Sequence, residues 1–196
     1  MEVSAYETTI LYRSLYGTRH PVSRRKGQLS HDGAASAAAD RRGTTGESAT
    51  LSDCEKLELF RRAKAYAGDS CIIIAGTGSN CTEHAAALSR AAEGAGADAL
   101  LIVTPYYNKC TQAGLIAHYE AIADAISCPV ICYNVPSRTG LDLKLETCQA
   151  LAKHPNIQGV KEAGGSPAKI AKIIETCGDS FFVWSGNDDE AVTAMA

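Results

Sequence analysis

The chain has no C-x-x-C pair and no histidine at finger spacing, although cysteines stand at 54, 71, 81, 110, 128, 132, 148 and 177. Neither a zinc site nor a thiol redox motif is therefore supported, and most of these thiols are expected to be buried. No apolar run approaches the ~18 residues that a transmembrane helix needs, and the N-terminus lacks the hydrophobic core of a signal peptide. A cytoplasmic protein is expected, in which Asn80-Cys81-Thr82 matches the glycosylation pattern by chance. A basic excess is missing too, since the formal net charge is -3. Nucleic acid and anionic membranes select strongly basic surfaces, so neither is expected as a partner, and small molecules are the better default.

What is present is ordinary apolar material, 45% of 196 residues, enough for one domain with a sizeable core. Charge is unevenly spread: residues 1–42 carry seven Lys/Arg and four Asp/Glu, a net +3, and the remainder carries a net -6. Residues 1–42 show neither period-2 nor period-3.6 apolar spacing, and are taken as an unmatched segment, disordered or frameshifted. From residue 43 the pattern is regular. Ser52-x-x-Glu55 predicts a capping box opening a helix whose Leu57, Phe60, Ala63 and Ala67 share a face, with Gly68 placed to end it. Strands are predicted at Cys71–Ala75, Ala99–Pro105, Val130–Tyr133, Ile157–Lys161 and Phe181–Ser185. Helices are predicted between them, from Thr82, over Gln112–Ile126, Lys144–Lys153 and Pro167–Cys177, and again from Asp188. Such alternation is that of βα units feeding a parallel sheet, and the continuous apolar runs imply burial on both faces.

An open nucleotide-binding sheet should show G-x-G-x-x-G after its first strand, and Gly76-Thr77-Gly78-Ser79-Asn80 fails at the third glycine position. A (β/α)₈ barrel is preferred, incomplete at both ends in this chain, with 43–196 as the partial barrel. Reactive groups in a barrel collect at the C-terminal strand ends. Lys161 ends an apolar strand there, where desolvation favours a neutral amine able to attack a ketone. The plainer alternative is an ammonium paired with Glu162 or reaching for water, but Glu162 is adjacent and should point to the opposite face. Tyr133 ends a strand as well and could transfer protons, or merely pack. Arg138, in a Pro-Ser-Arg-Thr-Gly turn, could hold a carboxylate with two hydrogen bonds, or be a surface arginine. The glycine-rich turn Gly43–Ser48 precedes the capped helix and could meet an anion, but it lacks the Gly-Lys-Ser/Thr ending of a Walker loop.

Six segments, GTTGESATL, AGTGSN, TPYYNK, YNVPSRTG, GVKEAGG and WSGNDD, occur in one order across residues 43–196, and together they resemble the dihydrodipicolinate synthase family. The resemblance implies a Schiff-base lyase of lysine and diaminopimelate biosynthesis that uses no metal or organic cofactor. Lys161 would bind pyruvate, and the resulting enamine would add to L-aspartate 4-semialdehyde to give 4-hydroxy-tetrahydrodipicolinate. It further implies a proton relay of Tyr133, Thr44 and Tyr107, with Tyr107 reaching in from a neighbouring subunit of a homotetramer built from two tight dimers. Thr45 and Gly186 would surround pyruvate, and Arg138 would hold the semialdehyde carboxylate. A lysine-sensing pocket would include Ser48, Ala49, Asn80 and Tyr106, but Lys56 and His84 replace the family's histidine and glutamate, so feedback by lysine is expected to be weak.

Three departures stand out. Cys110 replaces a family proline, nothing in residues 1–42 matches the family's opening, and the chain stops at Ala196, before the last barrel strand. N-acetylneuraminate lyase and sugar-acid aldolases share the lysine and tyrosine, but Pro-Ser-Arg-Thr-Gly favours the synthase. A non-catalytic fragment is the rival from another class. On that view residues 1–40 should pack little against the sheet, and the strands near Ile74 and Val183 should each lack one neighbour.

Overall fold

The computed structural model describes residues 48–68 and 72–187. Expectations for residues 1–42, Thr44, Thr45, Cys71 and the helix from Asp188 lie outside the described residues. After a 3₁₀ turn at Ser48–Thr50, α1 runs Asp53–Ala67. Its capping box is present: the Ser52 hydroxyl accepts from the Glu55 N–H and the Glu55 carboxylate accepts from the Ser52 N–H at 2.8 Å. Gly68 ends it at φ 55, a region that glycine enters without a Cβ clash. Phe60 is buried and Leu57 packs beside it, whereas Ala63 and Ala67 are only half-buried.

The remaining elements are β1 (Ile74–Gly76), α2 (Thr82–Gly94), β2 (Ala99–Val103), α3 (Gln112–Ala123), β3 (Val130–Asn134), α4 (Pro136–Thr139), α5 (Leu145–Leu151), β4 (Ile157–Glu162), α6 (Pro167–Cys177) and β5 (Phe182–Ser185). Each predicted strand is found, with β1 shifted towards Gly76. Helix α3 stops short of Ile126. The single turn α4 was not expected; Pro136 starts it with φ already set for a helix, and Gly140 closes it at φ 69.

All neighbouring strands are parallel, in the order β1-β2-β3-β4-β5. A doubly wound sheet reverses its order at a switch point; this one does not, and it is a section of a (β/α)₈ barrel. Among the described residues β1 and β5 each have one neighbour, as expected for the strands near Ile74 and Val183.

The two faces of the sheet differ. Ala75, Leu100, Ile102, Val130, Cys132 and Val160 join one core with helix residues such as Ala85, Leu115, Tyr119, Leu151 and Ile173. Alternate residues Ile74, Ala99, Leu101 and Ile131 form a separate small cluster, joined by Tyr133 and Trp184. The first is the helix-covered outer face and the second the barrel interior. Burial on both faces holds for β2, β3 and β4, whereas every position of β5, which has one neighbour among the described residues, is only half-buried.

One irregularity determines which way the end of β4 points. Val130 pairs with Ile157, but the next residue, Ile131, pairs with Gly159. Gln158 is thus an extra residue, a bulge of the kind that re-aims the side chains beyond it. Ile157 and Val160 both join the outer core, so Lys161 falls on the inner face. Strict alternation from Ile157 would have put it among the helices.

Candidate active site

Residues Tyr133 and Lys161 are register partners at the ends of β3 and β4. Lys161 is 6% exposed, and its Nζ stands 4.7 Å from the centroid of the Tyr133 ring. Trp184 is the register partner of Lys161 on the other side. Gly159 makes room for that indole: a Cβ there would lie 2.7 Å from the Trp184 ring and 2.2 Å from the Phe182 carbonyl oxygen. A buried lysine therefore stands between Tyr133 and Trp184 in the sheet register, with its amine over the Tyr133 ring, at the strand ends where a barrel collects its reactive groups.

Glu162 does not serve as the partner that the plainer reading required. It is 1% exposed and belongs to a network on the opposite side of the strand. Its Oε1 accepts from the Gly164 N–H at 2.7 Å and from Asn134 Nδ2 at 2.9 Å, and its Oε2 accepts from Asn134 Nδ2 at 3.0 Å. Lys169, at the start of α6, bridges Glu162 at 3.1 Å and Asp142 at 2.6 Å. Burial alone would depress the Lys169 ammonium, but the hydrogen bond to Asp142 and the charge of Glu162 outweigh it and hold its pKa above the ordinary lysine value.

The loops above the strands carry the other candidates. Tyr107 is 92% exposed and has φ 70, a left-handed conformation uncommon outside glycine; Tyr106 beside it is partly exposed. Arg138 is exposed on α4. Below it Thr104, fully buried, donates to the Thr139 hydroxyl at 3.2 Å, which ties the loop after β2 to the turn bearing Arg138. Gly186 is exposed and its N–H is committed to the Glu162 carbonyl oxygen at 2.7 Å. A Cβ on it would lie 2.6 Å from the Ala163 Cβ, so the close approach of these strand ends requires glycine.

A second cluster lies at the start of α1. His84 donates or accepts at both ring nitrogens, to Asp53 Oδ2 at 2.7 Å and to the Ser79 hydroxyl at 3.0 Å, and Lys56 stands 3.6 Å from Asp53. The hydrogen bond from His84 holds the Asp53 carboxyl below its usual range. Asn80 joins this region through its carbonyl, which accepts from Asn108 Nδ2 at 3.1 Å, while Ser48 and Ala49 occupy the 3₁₀ turn nearby in sequence.

The expectation of mostly buried thiols is corrected. Of the described cysteines only Cys132 and Cys148 are buried, and Cys54 and Cys81 are exposed, because they fall at helix starts facing away from the core. Burial pushes Cys128 up to about 11 and Cys148 up to about 12, so these two thiols are poor nucleophiles near neutrality. No group of three or more potential metal ligands occurs among the described residues, and no described helix is long and apolar enough to cross a membrane.

The structure thus brings Lys161 and Tyr133 together, with Gly186 at the neighbouring strand end, and leaves Tyr107 exposed on a loop and Arg138 exposed on α4. Asn134, Asp142, Lys169, Trp184 and Asp53 were not anticipated. Alternation places Asn134 opposite Tyr133, but nothing local to Asp142 or Lys169 signals that they meet Glu162.

The family model for the Dihydrodipicolinate synthetase family matches residues 36–196. A 4-hydroxy-tetrahydrodipicolinate synthase from Caldicellulosiruptor saccharolyticus is 50% identical over 154 residues, covering 79% of this chain and 52% of that protein. The solved dihydrodipicolinate synthase of Acinetobacter baumannii, chloride-inhibited and complexed with pyruvate, is 47% identical with a TM-score of 0.76, over 78% of this chain and 52% of its own. That of Cyanidioschyzon merolae, with lysine bound, is 44% identical with a TM-score of 0.76 and the same coverage. The chain spans about half the length of these relatives. With a match over most of its residues and a parallel βα order to go with it, the chain belongs to the dihydrodipicolinate synthetase family.

Proposed function

We propose that the protein of which this chain forms the described part condenses pyruvate with L-aspartate 4-semialdehyde through an imine on Lys161. The observation that carries this reading is the buried Lys161 amine 4.7 Å from the Tyr133 ring centroid at the barrel's C-terminal strand ends. The neutral amine adds to C2 of pyruvate, and proton transfers release the former carbonyl oxygen as water. Loss of a C3 proton gives an enamine, whose C3 bonds to the aldehyde carbon while the aldehyde oxygen takes up a proton. The semialdehyde's amino group then attacks C2, closing the ring and releasing Lys161. Tyr133, Thr44 and Tyr107 are the proposed proton relay, Thr45 and Gly186 border pyruvate, and Arg138 takes the semialdehyde carboxylate.

Exposure of Tyr107 suits a side chain reaching into another subunit, and we assign the assembly as a tetramer of two tight dimers. Sedimentation of the full-length protein as a monomer would overturn that assignment. The reaction itself is tested by incubating full-length protein with pyruvate and borohydride, which traps only an imine. Label at Lys161 is expected; label elsewhere, or none, defeats the proposal.

Feedback by lysine is expected to be weak. Lys56 repels a ligand ammonium, and the nearby carboxylate of Asp53 is already held by Lys56 and His84. Strong inhibition of the full-length protein by sub-millimolar lysine would contradict this.

A further inference from the structure

We propose that Asn134 and Glu162 act as a clamp that positions Lys161 against Tyr133; the inference rests on the pyruvate reading above. Each clamp residue immediately follows one of the reactive pair. Because the pairs are in register, Tyr133 with Lys161 and Asn134 with Glu162, a bond between the second pair fixes the separation and stagger of the first. Asn134 and Glu162 are 0% and 1% exposed, on the face away from Tyr133.

Every strong contact of the clamp holds a different part of the site. Asn134 Nδ2 donates to both Glu162 oxygens and to Asp142 Oδ1 at 2.7 Å, and Asn134 Oδ1 accepts from the Leu143 N–H at 2.9 Å. The loop after β3 is thereby tied down. Glu162 accepts from Gly164, which holds the loop after β4, and from Lys169, which docks α6. The main chain repeats the link: the Ala163 N–H donates to the Asn134 carbonyl at 2.8 Å and the Gly186 N–H to the Glu162 carbonyl at 2.7 Å.

A buried carboxylate is costly unless several donors satisfy it, and here Lys169 supplies the counter-charge from the helix side. The negative charge next in sequence to Lys161 is thus held on the opposite face from the amine. Asn134 and Glu162 are positioning residues: they touch no reacting atom, and they act through the strand ends that carry Lys161 and Tyr133.

The test uses full-length protein and measures the rate of borohydride-trapped imine formation at saturating pyruvate, together with the half-saturating pyruvate concentration. Asn134→Asp sets a carboxylate against those of Glu162 and Asp142. The double exchange, Asn134→Asp with Glu162→Gln in an Asp142→Asn background, restores one amide and one carboxylate in reversed order without opposing the new carboxylate to Asp142. Asn134→Ser removes the clamp without adding charge, in case the aspartate variant does not fold.

The clamp predicts that folded Asn134→Asp or Asn134→Ser traps about 10- to 100-fold more slowly, the scale on which small misplacements cost rate. Half-saturation should stay within about threefold, and the double exchange should recover most of the rate. A merely structural role would lower the melting temperature and leave the trapping rate of folded protein intact; that result, or a folded double exchange without recovery, overturns the proposal. If wild-type protein forms no imine, the pyruvate reading fails by itself. The clamp is then decided by formaldehyde–borohydride methylation of Lys161 relative to exposed Lys144. A ratio raised at least about threefold in Asn134→Ser and restored in the exchange supports it, and an unchanged ratio overturns it.

Discussion

The two faces of the sheet are made from alternate residues of the same five strands, yet they are built for different ends. On the helix side, the large core of Leu100, Ile102, Val130, Cys132 and Val160 rises to a saturated polar network at Asn134 and Glu162. On the interior side, a small cluster of Ile74, Ala99, Leu101 and Ile131 gives way to Tyr133, Lys161 and Trp184. Packing energy lies with the first face, where apolar side chains lose contact with water against five helices. The candidate site lies on the second, where the Lys161 amine stands 4.7 Å from the centroid of the Tyr133 ring.

That contrast can be broken most severely just beyond the bulge. Inserting one alanine between Val160 and Lys161, with the bulge in place, would turn Lys161 towards the helices and Glu162 into the interior. Loss of cooperative unfolding is the expected result, and an insertion variant that melts like wild type would show that the faces are not fixed at this point.

Lys169→Met leaves Glu162 buried without its counter-charge. A loss of about 3 kcal/mol is expected, at the low end for a broken buried pair because Lys169 keeps 17% side-chain exposure; urea denaturation measures it. Its raised pKa also has a consequence at high pH. A lysine whose folded pKa exceeds its unfolded value adds stability that is present below the unfolded pKa and lost as pH rises through the folded one. The wild type should therefore lose stability above about pH 10.4, a loss that the methionine variant lacks.

The comparison is sharpened by two neighbours in β2. Leu100 is fully buried in the outer core and Leu101, 5% exposed, belongs to the small interior cluster. Leu100→Ala should cost about 4 kcal/mol and Leu101→Ala about 2 kcal/mol, because the residual cavity is larger where more neighbours are fixed. Equal costs in urea denaturation would mean that the faces are equally packed.

The smallest effect is expected at the α1 start, away from both faces. Asp53 has its carboxyl pKa depressed, so its contribution is present above the unfolded value of about 3.9 and is lost as pH falls through the folded value. The pair with His84 is half-exposed, which limits its worth to a few tenths of a kcal/mol. His84→Ala should make stability slightly less dependent on pH below about 4, as read from melting temperatures in acid.

The strands, α1 with its cap, and the placement of Lys161 and Tyr133 at strand ends were legible because they depend on local signals: apolar runs, Ser52 three residues before Glu55, and Gly68 after the last turn. Half-burial of β5 was not, since its run Phe181–Ser185 is as apolar as that of a central strand. Cysteine burial was misjudged for a related reason. Residue type sets an average depth, whereas Cys54 and Cys81 are placed by the helix starts they occupy.

At the site itself, the order of the strands, the segment carrying Lys161 and the opposition of Lys161 to Glu162 follow from the sequence alone, because strand periodicity is a property of each chain segment. Which face Lys161 takes was decided only by the tertiary structure. The bulge at Gln158 is a relation between β3 and β4, and alternation read within β4 alone cannot place it. The same holds for the partners of Glu162. Asn134, Asp142 and Lys169 are 28, 20 and 7 residues away in sequence, and they meet only because a buried carboxylate must find donors where the fold leaves it.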